Sequence, residues 1–147
     1  MPKPTTPLVG CETFVLNKKG KVLLIKRAAS GTWGMPGGFH DLGETPLKCA
    51  IRECFEETGY KIKIIRLLGV FSSKKYKYVY YKWKKNEIVH VFFQGKIVGG
   101  SPKTSEESTE VAWFDKNKLP KLFDGHAKRI RIALAMQKNK KSRAYFE

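Results

Sequence analysis

One segment near the middle of the chain, TPLKCAIRECFEETG, carries the signals of a helix with defined ends, and it constrains the fold more than any other segment. Thr45 is suited to cap the helix N-terminus, and Pro46 to occupy the first helical position. Gly59 is a natural C-terminal stop, because glycine readily adopts the left-handed conformation found there. Apolar side chains recur at three- and four-residue steps between these ends and predict a buried stripe: Leu47, Ala50, Ile51 and Cys54.

The segments around this helix have the patterns of strands and of a second helix. Strands are predicted in LVGCETFVL, KVLLIKR, KIKIIRLLGVF, IVHVFFQGKIVGG and EVAWFD, and a loop in AASGTWGMPGG. The turn NKKG joins the first two strands, which predicts a hairpin. The second helix lies in DGHAKRIRIALAMQKNKK, with an inner face of Ala127, Ile130, Ala133, Leu134 and either Met136 or Gln137. Strands with two separated helices indicate an α/β fold, a mixed sheet covered by helices.

The length of 147 residues suits one domain with a proper core, so we expect a single domain over residues 1–147. The Lys-rich residues from about 138 to 147 are expected to form a frayed basic tail. No run approaches the ~18 to 20 apolar residues of a membrane span. The N-terminus lacks a signal-peptide pattern, and the three cysteines show no CxxC spacing. These features predict a cytoplasmic protein with free thiols and no membrane partner.

The charge of the chain is strongly positive, but its acids are concentrated in one place. A formal net charge of +16 predicts attraction to polyanions such as nucleotides, RNA, DNA or anionic lipid. Five of the thirteen acidic residues nevertheless lie between positions 37 and 59: Asp41, Glu44, Glu53, Glu56 and Glu57. The last three share one flank of the predicted helix, where bare carboxylates repel one another.

Two readings of this acidic flank are open, a solvated helix face or a site for a divalent cation. A solvated face in so basic a chain should alternate Lys and Glu, so the cation is favoured. Mg²⁺ prefers hard oxygen ligands, and waters and substrate phosphates complete its shell. Glu44, in the loop before the helix, can reach the same place. Arg52 is either a planar fork that orients a carboxylate or an ordinary surface charge.

The spacing of these residues resembles that of a known family, the Nudix hydrolases. Seven positions fixed in the family pattern are matched: Gly38, Glu44, Arg52, Glu53, Glu56, Glu57 and Gly59. Cys54 and Tyr60 stand at two packing positions where the family usually has an aliphatic residue. The segments WGMPGG before this box and EVAWFD after it are also similar to the family.

The resemblance implies an α/β/α sandwich around a mixed sheet, and hydrolysis of a nucleoside diphosphate linked to another group with Mg²⁺ or Mn²⁺. It implies that Glu53, Glu56 and Glu57 are metal ligands, that the Gly37 carbonyl can add a further ligand, and that Arg52 orients Glu53. The family's general base is either a box glutamate or an acid of a late loop. That loop offers Glu106, Glu107 and Glu110, of which the spacing to Trp113 favours Glu107; a plain loop carboxylate is the alternative.

Residues expected to contact substrate lie mostly outside the box. They are Arg27, Trp33, Phe39, Glu44, Tyr76 and Tyr78. The run KKYKYVYYKWKK, which contains the two tyrosines, is read either as a nucleic-acid surface or as a strand with one buried face. Arg27 could be a surface charge, and the aromatic residues could equally be core. The three histidines show no metal spacing and are not expected to act in catalysis.

Three functions follow from this reading. The first is a Mg²⁺-dependent pyrophosphohydrolase acting on a small nucleotide derivative such as ADP-ribose, a dinucleoside polyphosphate or a nucleoside triphosphate. The second is removal of pyrophosphate from an RNA 5′ end, which the basic charge favours. The third, a binding module without catalysis, predicts a degraded box, whereas this box is intact. The oligomeric state is open, a homodimer included.

Overall fold

The computed structural model describes residues 6–72, 87–123 and 125–147. Its elements, in chain order, are β1 (Leu8–Val15), β2 (Val22–Arg27), β3 (Trp33–Gly34), β4 (Gly37–Phe39), α1 (Pro46–Thr58), β5 (Tyr60–Ser72), β6 (Ile88–Gly100), β7 (Ser108–Phe114), α2 (His126–Gln137) and β8 (Tyr145–Phe146). The predicted loop before the box therefore contains two short strands, β3 and β4.

Two sheets organise these elements, and the predicted α/β class with a mixed sheet is confirmed. The larger sheet has the order β4-β1-β6-β5-β8 and is mixed, because β1 pairs parallel with β6 and antiparallel with β4. The smaller sheet, β3-β2-β7, is antiparallel. The predicted hairpin of the first two strands is wrong. β1 and β2 lie in different sheets and meet at an isolated bridge between Leu16 and Val22, since each has other strands along both of its edges.

Helix α1 has the predicted ends but turns a different face inward. The Thr45 side chain accepts a hydrogen bond from the Lys48 N–H at 3.2 Å, and Gly59 adopts φ 78°. Ala50 and Cys54 are buried as predicted, whereas Leu47 is 43% exposed, which corrects the predicted stripe. The buried set of the helix is Cys49, Ala50, Glu53, Cys54, Glu57 and Thr58. The helix therefore directs two carboxylates inward, toward β4.

Helix α2 differs from the prediction in the same way. Ala127 is exposed, and the buried positions of the helix are His126, Arg129, Ile130, Ala133 and Met136. Ile130, Ala133 and Met136 are buried as predicted, but His126 and Arg129 share this inner face with them in place of Ala127. Apolar periodicity missed the two polar side chains because they are buried together with a charged partner from β1.

The prediction of a frayed tail at the end of the chain is wrong, because these residues include a short strand. Strand β8 pairs parallel with β5, with Tyr145 opposite Gly69. The Tyr145 ring stacks on Phe71 with centroids 4.8 Å apart, and Lys128 Nζ lies 3.0 Å from Glu147 Oε1. Buried aromatic surface and strand pairing together order this end of the chain.

Candidate active site

A cavity of about 700 Å³ opens where β4, α1 and the end of β2 meet. Its lining brings together residues from most of the elements: Gly10, Glu12, Arg27, Gly37, Gly38, Phe39, Glu53, Ile88, His90, Glu106, Glu107, Phe123 and His126 are among them. A cleft of this volume is of the size that binds a small-molecule ligand.

Arg52 gathers several acidic side chains next to this cavity, of which Glu53 lines it. Its Nη1 donates to Glu53 Oε1 at 2.9 Å and to Glu56 Oε2 at 3.1 Å. Its Nε and Nη2 donate to the two carboxylate oxygens of Glu44 at 3.0 and 2.8 Å, and Nη2 also donates to the Phe39 carbonyl at 3.2 Å. The guanidinium fork therefore joins Glu53 to the end of β4.

The carboxylates of the box differ in their electrostatic surroundings. Hydrogen bonding from Arg52, followed by the Asp41 N–H, lowers the pKa of Glu44 to about 2. Burial raises the pKa of Glu53, against the attraction of Arg52. Burial also raises the pKa of Glu57 to about 8, although the Gly37 N–H donates to its Oε1 at 2.8 Å. Two of the three predicted metal ligands are thus buried acids, in surroundings that disfavour an uncompensated negative charge.

Replacing Arg52 by Lys is expected to lower kcat by roughly 10- to 100-fold, the range typical for a residue that orients a metal ligand. Lys keeps the charge but loses the planar fork that holds Glu44 and Glu53 together. Steady-state kinetics with saturating Mg²⁺ would measure the effect, with Arg131→Lys on the exposed side of α2 as the control. Wild-type kcat in the Arg52 variant would show that the fork is dispensable.

Gly38 lets strand β4 pass close to Glu53. A Cβ at this position would lie 2.4 Å from the carboxyl carbon of Glu53 and 2.5 and 2.6 Å from its oxygens. Gly37 is equally constrained, because a Cβ there would lie 2.6 Å from the Cys11 carbonyl oxygen. Gly38 therefore lets the β4 backbone lie directly against the Glu53 carboxylate, and Gly37 lets it lie against β1.

Replacing Gly38 by Ala is expected to reduce kcat about tenfold while the protein remains folded. The methyl group meets the end of a flexible side chain, so Glu53 shifts by a fraction of an ångström, and a misplacement of about 1 Å costs roughly 10²-fold. Gly99→Ala is the matched control, since its Cβ would meet Lys61 at an ordinary 3.8 Å. Equal kcat values for the two variants would contradict the proposed close packing.

The carboxylate oxygens of the box suit a divalent cation, although the side chains do not surround a common point. Within the described residues, no group of three or more His, Cys, Asp or Glu side chains surrounds a common point. Glu56 is about half exposed and bound to Arg52, while Glu57 faces Gly37. Mg²⁺ nevertheless needs only one or two carboxylates, because waters and substrate oxygens fill its remaining positions. Glu53 and Glu57, buried on successive turns of α1, provide two such hard oxygen donors.

The structure places the other predicted site residues in different positions. Arg27, Phe39 and Glu107 line the cavity, and Glu106 lies beside them. Glu110, the third candidate of the late loop, instead has its carboxylate 3.8 Å from Lys26 Nζ. The Arg27 guanidinium lies 4.7 Å from the centre of the Phe123 ring, at the wall of the cavity.

Two predicted substrate contacts are not brought into the cavity. Glu44 is engaged by Arg52 and by the Asp41 N–H at 2.9 Å, so its role in the structure is to hold Arg52. The Trp33 ring packs edge-to-face on Phe114 with centroids 4.8 Å apart and lies, partly buried, against the core. Tyr76 and Tyr78 lie outside the described residues, so their predicted role is not addressed by the structure.

Sequence reasoning missed a buried polar group at the inner end of the cavity, which we call the Glu12 cluster: Glu12, His90, His126 and Arg129. His90 Nδ1 lies 2.8 Å from Glu12 Oε1, and His126 Nε2 lies 3.4 Å from Oε2. Arg129 Nη2 lies 3.1 and 3.2 Å from the two oxygens. The available signal was a glutamate inside an otherwise apolar strand, which usually requires a buried partner.

The protonation states within the Glu12 cluster follow from its contacts. Burial disfavours the Glu12 charge, but Arg129, the strongest opposing influence, holds the pKa of Glu12 well below its usual range. Burial lowers the pKa of His126 well below its usual value, so this ring is neutral. The Met35 N–H donates to His126 Nδ1 at 3.0 Å, which assigns the ring proton to Nε2, facing Glu12.

The fold and the cavity define the class of this protein: an α/β protein that sets the acids of one helix beside a cavity large enough for a small-molecule ligand. The NUDIX domain family model matches residues 7–135, and the chain therefore belongs to the Nudix family. In the described part of the chain, no helix has the length and apolar character needed to cross a membrane.

Relatives and solved structures agree with this assignment. The chain is 36% identical over 120 residues to an ADP-ribose pyrophosphatase of Methanocaldococcus jannaschii, covering 80% of this chain and 68% of the relative. It is 36% identical over 88 residues to an RNA pyrophosphohydrolase of Actinobacillus succinogenes, covering 60% and 40%. An ADP-ribose pyrophosphatase structure from Streptococcus suis superposes with a TM-score of 0.81 at 21% identity, covering 97% of this chain and all of that one, and shows the same fold. The protein is a hydrolase acting on pyrophosphate bonds.

Proposed function

We propose that the protein hydrolyses the pyrophosphate bond of a small nucleotide derivative, a nucleoside diphosphate linked to another group, with bound Mg²⁺ or Mn²⁺. The observation that carries this proposal is the position of Glu53 in the cavity wall, beside Gly37 and Gly38 and together with Arg27 and Glu107. A buried acid and a nearby cation in one cavity suit a metal and the phosphates it neutralises.

The residues that would hold the metal are the carboxylates of Glu53, Glu56 and Glu57 and the Gly37 carbonyl. When bound, the metal supplies charge neutralisation at the phosphoryl oxygens and lowers the pKa of a water. Arg52 keeps Glu53 and Glu56 in place through its bonds of 2.9 and 3.1 Å. Arg27, from the end of β2, neutralises phosphate charge at the cavity wall.

Glu107 is proposed as the general base that accepts a proton from the attacking water. It lines the cavity, and its charge acts on both Glu53 and Glu57. It is also exposed at the cavity mouth, so a proton accepted there can pass to solvent. A positioned carboxylate in this role typically contributes about 10²-fold or more to rate.

The second candidate substrate is the 5′ end of RNA, from which the enzyme would remove pyrophosphate. Two observations support it: the net charge of +16, and the 36% identity over 88 residues to the RNA pyrophosphohydrolase. Binding to a polyanion releases counterions, so this activity should fall steeply as salt rises. A small-nucleotide activity should show a much shallower salt dependence.

A substrate panel tests the proposed function. The wild-type protein is incubated with Mg²⁺ or Mn²⁺ and with ADP-ribose, diadenosine polyphosphates, nucleoside triphosphates including oxidised ones, and 5′-triphosphate RNA. We expect a nucleoside monophosphate product from at least one small nucleotide, and loss of turnover in EDTA with recovery on adding metal. The name of the archaeal relative makes ADP-ribose the first compound to test. No turnover of any compound with either metal would contradict the proposal and favour a binding module.

A further inference from the structure

Many of the lysines and arginines of the chain are concentrated at the end of the molecule opposite the cavity. They belong to the turn after β1, the start of β5, the end of β6, the turn after β7 and the segment after α2, which are residues 16–21, 61–66, 94–100, 115–118 and 138–141. These five segments contain twelve of the 29 lysines and arginines but one of the thirteen acids, Asp115. We call this surface the basic end.

Contacts between the five segments make the basic end one continuous surface. Arg66 Nη1 donates to the Lys140 carbonyl at 3.1 Å, and Arg66 Nε donates to Gln94 Oε1 at 3.2 Å, so the segment after α2 is attached to β5 and β6. Val22, which follows the first turn, pairs with Phe114, which precedes the second. The strand that leads into the first turn, β1, runs beside β6. The two turns therefore lie next to the ends of the same strands.

The basic end is too far from the cavity to contact a ligand bound there. Strand β2 runs from Val22, beside the first turn, to Arg27 in the cavity lining, a span of about 17 Å at about 3.4 Å per residue. Helix α2 likewise runs from His126 in the lining to Gln137, a rise of about 16 Å. Both spans exceed the ~8 Å over which salt screens exposed charges at physiological ionic strength. The positive charge of the basic end therefore does not hold phosphates in the cavity.

Two lysines of the basic end lie directly opposite each other on paired strands. Lys63 on β5 pairs with Lys96 on β6, and both side chains are exposed. Like charges in this arrangement destabilise a sheet. Within the described residues, the lysines that form ion pairs are Lys26 and Lys128, outside the basic end. Lysines on an edge strand also prevent association between sheets, but this explains neither Lys96, on the inner strand β6, nor the lysines of the two turns. A polyanion would neutralise all of these charges.

The positions of these charges favour a nucleic-acid backbone over a membrane surface. A helix that binds a membrane inserts a free apolar face between its basic residues. The helix at the basic end, α2, instead packs Ile130, Ala133 and Met136 into the core. On β5, Lys61 and Lys63 are exposed on either side of buried Ile62, which spaces two charges about 6.8 Å apart along the strand. Rows of separate charges of this kind follow the phosphates of a single strand without reading its sequence.

We propose that the basic end binds the sugar–phosphate backbone of single-stranded RNA, at a surface separate from the cavity. Its lysines neutralise successive phosphates, and the bases make no sequence-specific contact. The inference goes beyond the proposed function, because it concerns a second surface and binding alone. It rests on the proposed function only for the choice of RNA over DNA.

The first test measures RNA binding by the wild-type protein under conditions that exclude hydrolysis. Fluorescence anisotropy in EDTA gives the Kd for a 3′-fluorescein oligouridine of about 15 nucleotides with a 5′ hydroxyl, which has no pyrophosphate bond. We expect log Kd to rise with log[KCl] between about 50 and 200 mM with a slope of about 3 or more, as for about four or more neutralised phosphates. No binding at the lowest salt, or binding to phosphatidylserine vesicles without binding to RNA, would overturn the proposal. A protein that binds this RNA but fails the substrate panel would contradict the proposed function and leave this inference standing.

The second test locates the RNA on the basic end. The double variant Lys63→Glu, Lys96→Glu is compared with Lys48→Glu, Lys121→Glu, which makes the same change in net charge at two exposed lysines outside the basic end. The first variant should bind the RNA at least about tenfold more weakly and lower the salt slope by about 1 to 2, whereas the control should stay within about threefold of wild type. Equal weakening in both variants would show that net charge alone attracts RNA and would overturn the proposal. If the reversed pair does not fold, Lys63→Gln, Lys96→Gln removes the same two charges together with their mutual repulsion and is measured against the same control.

Discussion

Replacing Glu57 by Gln is expected to lower metal-dependent kcat/KM by about 10³-fold or more, because a catalytic metal contributes several kcal/mol of transition-state stabilisation. The amide can still accept the hydrogen bond that the Gly37 N–H donates at 2.8 Å. It also remains neutral, so it avoids the cost of burying a charge that raises the pKa of Glu57 to about 8. The fold should therefore survive. Steady-state kinetics across a Mg²⁺ titration, with thermal unfolding alongside, would measure both effects.

The matched control for this variant is Glu110→Gln, because Glu110 pairs with Lys26 outside the cavity lining. Its kinetic constants should equal those of the wild type. Full activity of Glu57→Gln at saturating Mg²⁺ would contradict the metal assignment. A large fall in unfolding temperature would instead show that the Glu57 carboxylate is needed by the fold and would leave its chemical role unmeasured, so Glu53→Gln would then be compared in the same assay.

Replacing Glu107 by Gln is expected to lower kcat by about 10²-fold with little change in KM, as for the loss of a positioned general base. Glu107 is better placed than its neighbour, because its charge, and not that of Glu106, is among the main influences on the pKa values of both Glu53 and Glu57. Both residues are exposed and line the same cavity, so the Glu106→Gln variant controls for loss of negative charge at its mouth.

The pH dependence of kcat in the two variants distinguishes a general base at Glu107 from a carboxylate that acts only through its charge. If Glu107 accepts the proton, activity of Glu107→Gln should partly recover as hydroxide becomes available at high pH, while Glu106→Gln should keep the wild-type profile. Identical kcat values for both variants would indicate that the two carboxylates act by charge alone. The proton acceptor would then be sought among the box glutamates.

The local features of the site could be predicted from the sequence. The ends of α1 depend on residues within one turn: Thr45 accepts from the Lys48 N–H, and Gly59 takes the left-handed conformation. The spacing of the box residues is also local, and it led to the family and to the reaction type that the relatives support. Arg52 and Glu53 are adjacent in the chain, so their contact at 2.9 Å needed only the helix to form.

Strand partners could not be read from the same patterns. The short turn after β1 suggested a hairpin, yet β1 lies between β4 and β6, and β2 between β3 and β7. Periodicity shows which residues form a strand and which face is buried, but not which of several edges it will join. The same limit explains Trp33, an aromatic residue near the glycines that packs on Phe114 from a distant strand.

The sequence by itself determined one helix, the acids along it and the chemistry of its family, because each depends on residues that are close together in the chain. The tertiary structure alone decided the inner end of the cavity. Glu12, His90, His126 and Arg129 come from three elements, the first and the last are 117 positions apart in the chain, and Glu12 alone gives a signal in the sequence, as a glutamate inside a mostly apolar strand. A buried charge is tolerated only where partners meet it, and those partners are assembled by the fold and not by spacing along the chain.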